Sequence, residues 1–79
     1  MDTTEALGRV IAAHRIMLGQ PRKWLAEQAG ISYPYICEIE NGTKEASLTT
    51  LAGVARALGV QLSVLLARAE RLIAGDCQL

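Results

Sequence analysis

No Phe occurs among the 79 residues, and one Trp with two Tyr completes the aromatic set. Ala and Leu instead supply twelve and eleven residues, the composition of a helical protein. The hydrophobic fraction of 51% is too high for a disordered chain. Cysteine is scarce as well: Cys37 and Cys77 are too few and too far apart for a disulfide scaffold. With a single His, His14, no zinc-ligand spacing exists, and no Ser/His/Asp or Cys/His arrangement points to catalysis. Neither enzyme activity, nor a metal, nor a cofactor is expected. Net charge is also lacking, with eight Lys/Arg against eight Asp/Glu. Without an overall positive field, any contact with a polyanion has to rest on cations gathered on one face. The longest apolar stretch, Leu62 to Ala69, is interrupted by Ser63 and Arg68 and falls short of the ~20 residues of a membrane span. Met1, Asp2, Thr3, Thr4 and Glu5 do not make a basic-then-apolar leader, so a cytoplasmic location with no membrane partner is expected. Residues 1–79 are read as one domain, too small to enclose a ligand cleft of ~300 Å³ without hollowing its core.

What is present is helical spacing punctuated by glycine. Leu7, Val10, Ile11, His14 and Leu18 recur at three- and four-residue intervals, predicting a helix over roughly Thr4 to Leu18 with Gly19 in the left-handed position after it. Asp2, Thr3 and Thr4 are its candidate caps. Pro21 suits the first turn of a second helix carrying Trp24, Leu25, Ala26, Gln28 and Ala29 and ended by Gly30. Ser32 caps a third, with Pro34 in its first turn, Ile36 and Ile39 inward, and Asn41-Gly42 as the stop. Ser47 caps a fourth, with Leu48, Leu51, Val54, Ala55 and Leu58 inward and Gly59 as terminator. Gly53 inside it signals close helix approach or tolerance, at ~1 kcal/mol relative to Ala. A fifth period, Leu62, Leu65, Leu66, Ala69, Leu72 and Ile73, is expected to end at Gly75. No strand alternation appears.

The segment Leu25 to Gly42 is the most informative. Two short helices flank a tight turn at Gly30, which permits positive φ. Ala26 lets those helices cross closely, Ile31 plugs the gap, and Leu25, Ile36 and Ile39 share a core. This is the physics of a helix-turn-helix, whose second helix projects to enter a DNA major groove. Leu25-Ala26-Glu27-Gln28-Ala29-Gly30-Ile31-Ser32, Tyr35-Ile36, Ile39-Glu40-Asn41-Gly42, Leu51, Ala55 and Ala57-Leu58-Gly59-Val60 together resemble the phage-repressor (Cro/Xre) family of helix-turn-helix regulators. The resemblance spans roughly residues 7 to 66. It implies an all-α, five-helix, lambda-repressor-like DNA-binding domain that is dimeric and binds short palindromic operators.

Carried over by position, the resemblance makes Tyr33, Pro34, Cys37 and Glu38 the base-reading surface. A Tyr33 hydroxyl or ring would meet base edges or a thymine methyl, and Glu38 would accept from cytosine N4. Arg22, Lys23, Asn41, Thr43 and Lys44 would contact phosphate, helped by helix N-termini. Arg15 and Glu40 fill the places of a structural ion pair. Two departures stand out: Pro21 and Arg22 replace the Ser/Thr and Gln that open helix two in the family, and Glu38 replaces a polar or basic residue. The competing readings are ordinary. Arg22 and Lys23 also suit a solvated helix face, and Tyr35 suits packing as well as phosphate. Trp24 suits packing, a lid over Tyr35 or a partner contact. Cys37 reads as a small residue that fits the groove rather than a redox switch.

The core of the fold, about 4–66, leaves a helical extension, about 67–75, to be covered. An isologous two-fold interface through Val64, Leu65, Ala69, Leu72 and Ile73 is expected, with folding back over helix one as the alternative. The function expected is a sequence-specific transcriptional regulator, a repressor that occupies an operator as a homodimer on double-stranded DNA. Two rivals remain. One is an antitoxin-type module binding a protein partner through Trp24 and helix five. The other is a small controller activating a neighbouring operon through Glu27 or Glu45.

Overall fold

A computed structural model describes residues 1–78, with side chains described through Gly75; the side chain of Cys77 lies outside the described residues. The chain forms α1 (Thr3–Met17), α2 (Arg22–Ala29), α3 (Tyr33–Asn41), α4 (Leu48–Leu58) and α5 (Leu62–Gln78). Among the described residues there is no strand, and no single helix is long and apolar enough to cross a membrane.

Local chemistry sets most helix ends. At the start of α1 the Asp2 carboxylate accepts from the Glu5 N–H at 2.8 Å and the Glu5 carboxylate accepts from the Asp2 N–H at 3.4 Å, a reciprocal capping box. Ser32 Oγ accepts from the Tyr35 N–H at 3.2 Å, and Ser47 Oγ from the Thr50 N–H at 3.1 Å. Pro21 stands one position before the first turn of α2, as its extended N-cap. Gly30, Gly42 and Gly59 each end a helix in the left-handed region. Gly75 does not. It has no positive φ, and α5 continues through Gln78. Glycine permits a left-handed stop without requiring one, and no reversal of the described chain demands it there.

The core collects Ala6, Val10 and Ile11 of α1, Leu25 and Ala26 of α2, Ile36 and Ile39 of α3, Leu51, Val54, Ala55 and Leu58 of α4, and Leu65 and Ala69 of α5. α1 lies between α3 and α5, while α2 packs on α3 and α4. The α1–α3 crossing is close enough to need glycine. A Cβ on Gly8 would overlap the Ile39 carbonyl oxygen and sit 2.8 Å from that of Glu40. Gly53 is different, since a Cβ there would meet only the Ala29 carbonyl oxygen at 3.5 Å, an ordinary contact.

Two expectations about buried faces are corrected. Leu18 is 49% exposed, alongside Ile16 at 65% and Met17 at 76%. Its N–H bonds back to the Arg15 and His14 carbonyls at 3.1 Å, so the last turn tightens and carries Leu18 off the apolar stripe. Leu48, expected inward on α4, is 68% exposed because it is the first helical residue, one turn ahead of the buried Leu51.

Leu65 and Ala69, expected at a two-fold interface, are instead buried in the chain's own core. The periodicity of α5 defines one apolar stripe, and α1 is its principal neighbour, with α4 contributing less. Leu72 and Ile73 also pack against the core but stay partly exposed, and Val64 is half-buried.

Candidate nucleic-acid interface

α2 and α3 meet at the Gly30 turn. Gly30 adopts φ +73° and donates to the Glu27 carbonyl at 3.3 Å, while Ile31 donates to the Ala26 carbonyl at 3.0 Å. Ala26 is 3% exposed, a small side chain buried in the core where α2 runs into the turn. Ile31 packs partly against the core beneath the turn. The hydrogen bonds close the end of α2, and Ser32 opens α3 two residues later. The angle between the two helices is thereby set by backbone chemistry rather than by long side chains.

The two faces of α3 differ sharply. Ile36 and Ile39 point into the core, whereas Tyr33 and Pro34 are exposed and Cys37 and Glu38 are partly so. Tyr33 and Cys37, one turn apart, interact. The neighbouring Cys37 side chain, more than burial, raises the Tyr33 pKa above its ordinary value. Tyr33 therefore presents a neutral hydroxyl to solvent at physiological pH. Glu38 meets Lys44 at 3.9 Å in an exposed pair of little energetic weight. Lys44 Nζ also lies 5.5 Å from the centre of the Tyr35 ring, a cation–π contact on a ring half-buried against the core.

The groups flanking α3 are tied to its ends. Thr43 donates from its N–H at 3.0 Å and its hydroxyl at 3.3 Å to the Glu38 carbonyl, closing the C-terminus of the helix. Asn41 is exposed at the last helical position, and Lys23 is exposed on the first turn of α2. Arg22 is more engaged than its place at a helix start suggests. Its Nε donates to Glu40 Oε1 at 2.9 Å and its Nη2 to Asn41 Oδ1 at 3.2 Å. Burial, the largest influence on Arg22, would lower its pKa; the neighbouring Cys37 side chain and the bond to the Glu40 carboxylate reverse the direction and raise it.

Glu40 is the centre of this arrangement. Its side chain is fully buried, and Arg15 grips it with two bonds, Nε to Oε2 at 2.8 Å and Nη2 to Oε1 at 3.0 Å. Arg15 Nη1 also donates to the Gln20 carbonyl at 2.8 Å, tying the α1–α2 connection to the same cluster. A buried carboxylate with two guanidiniums therefore joins α1, α2 and α3. The partnership of Arg22 with Glu40 was not evident from spacing, because the two residues are 18 apart and meet only through the α2–α3 crossing.

His14 lies away from this face, partly buried on α1, and its Nε2 atom is buried without a hydrogen-bond partner among the described residues. Burial, then the charge of Arg68, lowers its pKa from the ordinary 6.5. A cleft of about 200 Å³ lined by Thr3, Thr4, Leu7, Ile39, Lys44 and others separates the start of α1 from the α3–α4 connection. That is smaller than a typical small-molecule site of ~300 Å³ or more.

A short helix clamped by glycine geometry, with an apolar inner face and a polar, cation-flanked outer face, defines a helix-turn-helix. The helix-turn-helix family profile matches residues 11–65, and the chain belongs to that family, in its Cro/Xre branch of DNA-binding transcriptional regulators. The transcriptional regulator ClgR of Mycobacterium tuberculosis is 36% identical over 75 residues, covering 86% of this chain and 67% of ClgR. The crystal structure of the clp gene regulator ClgR from Corynebacterium glutamicum superposes with a TM-score of 0.94 at 33% identity, covering 99% of this chain and 83% of that one. The restriction-modification controller protein C.AhdI from Aeromonas hydrophila superposes with a TM-score of 0.77, covering 78% of this chain and 94% of that one. At 24% identity that last likeness is one of fold alone.

Proposed function

We propose that the chain represses transcription as a homodimer in the cytoplasm, each protomer setting α3 into the major groove of one half of a palindromic operator. The observation that carries this reading is the outer face of α3. Tyr33, Pro34, Cys37 and Glu38 are turned away from Ile36 and Ile39, with Arg22, Lys23, Asn41, Thr43 and Lys44 around them. Direct readout needs hydrogen-bonding groups on a helix that can approach base edges. The Tyr33 hydroxyl and the Glu38 carboxylate fill that role, with Glu38 exchanging its loose Lys44 partner for cytosine N4. Phosphate contacts from the flanking groups fix orientation and carry most of the affinity. Two α3 helices about one DNA turn, ~34 Å, apart match a two-fold dimer. With Leu65 and Ala69 inside the protomer, Val64, Leu72 and Ile73 are the part of α5 left for the second copy. Repression follows from occupancy of a promoter-overlapping site, and the name of ClgR as a transcriptional regulator supports the regulatory role.

Substitutions on the two classes of contact test the reading against an operator recovered from random duplexes. Lys23→Ala should weaken binding to all sequences alike and flatten the slope of log K against log salt by about 0.9. Glu38→Ala should change the preferred base pair at one position, at about 1–3 kcal/mol of discrimination. If both variants lose affinity uniformly across sequences, α3 is not reading bases.

A further inference from the structure

The cluster at Glu40 carries a charge imbalance that packing alone does not require. One fully buried carboxylate serves two guanidiniums, and no second carboxylate pairs with either of them among the described residues. Arg15 alone satisfies it, with two bonds in the planar fork geometry that suits a carboxylate. Arg22 adds a third bond to the same Oε1 and leaves the cluster with one surplus positive charge. That surplus sits on the more exposed partner, since the Arg22 side chain retains 33% of its accessible surface against 12% for Arg15.

The geometry of Arg22 is also overdetermined for a surface residue. Nε is held by Glu40 on the last turn of α3, and Nη2 by the neighbouring Asn41. Nη1 donates to no protein oxygen among the described residues, and Arg22 opens α2, whose first turn carries backbone N–H groups without intrahelical partners. Those groups have no side-chain cap, because Pro21 stands at the N-cap and offers no acceptor. A guanidinium fixed at two of its nitrogens and carrying an unmatched charge, on the residue that opens an uncapped helix, is complementary to a single phosphate oxyanion.

We propose that Glu40 is a positioning residue for DNA binding: with Asn41, it holds Arg22 as a pre-aimed clamp for one backbone phosphate where α2 begins and α3 ends. Glu40 itself never touches DNA. The ordering of a long, flexible side chain is completed in the free protein, so less of it is lost on binding. The inference rests on the DNA-binding reading above and adds a division of labour, in which Arg15 neutralises Glu40 and Glu40 directs Arg22.

The test uses fluorescence anisotropy of the full chain with its selected operator, titrated over a range of salt. Arg22→Lys keeps the charge but cannot bond Glu40 and Asn41 together. It should bind about tenfold more weakly, as loss of a charge-assisted hydrogen bond implies, with an unchanged salt slope. Glu40→Gln should weaken binding by a similar factor in the wild-type background and by less than about twofold when Arg22→Gln is already present. An equal loss in both backgrounds would show that Glu40 acts only through α1–α3 packing and would overturn the proposal. Should Glu40→Gln fail to fold, Arg22→Lys decides alone: affinity within about twofold of wild type means charge without aim suffices, and the proposal fails. Wild-type protein that binds none of the selected duplexes would remove the DNA reading itself, and this one with it.

Discussion

Replacing Gly8 by Ala tests the tightest contact in the fold. At an ordinary helix position Ala is favoured over Gly by about 1 kcal/mol. At Gly8 the added methyl would overlap the Ile39 carbonyl oxygen and lie 2.8 Å from that of Glu40. Both atoms are backbone, so no side chain can rotate away. Relief requires α1 and α3 to separate, which also strains the Arg15–Glu40 bonds between them. Overpacking of this kind costs typically about 1–3 kcal/mol, and backbone opponents place it at the upper end. Setting about 3 kcal/mol of overlap against about 1 kcal/mol of propensity leaves a loss of about 2 kcal/mol, or about 8–16 °C in Tm for a domain this small. Gly53→Ala supplies the control: the same propensity gain with only a 3.5 Å contact to Ala29. It should raise stability by about 1 kcal/mol. Urea unfolding followed by far-ultraviolet circular dichroism measures both. A Gly8→Ala variant as stable as Gly53→Ala would refute the close crossing of α1 and α3.

Other perturbations follow from single contacts. Ser47→Ala removes the side-chain acceptor for the Thr50 N–H and should cost about 1 kcal/mol in the same urea assay. His14 has a folded-state pKa below 6.5, so the unfolded chain takes up its proton first as pH falls. Its contribution therefore stabilises the fold above pH 6.5 and is lost as pH drops through 6.5 toward the folded value. Wild-type Tm should fall more than that of His14→Gln between about pH 7.5 and 5.5, and parallel curves would count against it. Val64→Asp places a charge on the half-buried outer side of α5 and should turn a dimer into a monomer by sedimentation. Persistence of the dimer would exclude that surface.

Much of the fold is legible because its signals are local. Ser32 and Ser47 precede their helices by one residue, and the left-handed stops at Gly30, Gly42 and Gly59 each close on carbonyls within the preceding turn. Gly75 shows the limit of that logic, since a residue that permits a stop does not impose one. Apolar spacing likewise defined the inner face of α5 without saying what covers it. Leu65 and Ala69 read equally well as core or as interface until α1 is seen lying on them. The need for glycine at position 8 depends on carbonyls more than 30 residues away, which no local pattern encodes. Arg22 is the instructive case at the site: the family resemblance implies a phosphate contact, but its bonds to Glu40 and Asn41 arise only from the crossing of α2 with α3.

The central claim is that two copies of α3 read a palindrome. Selecting bound duplexes from a random DNA pool at moderate salt, followed by sequencing, tests it most directly. The account predicts an enriched inverted repeat with half-site centres about 10 base pairs apart. A folded protein that enriches no sequence, or that enriches an unrepeated single site, would contradict it.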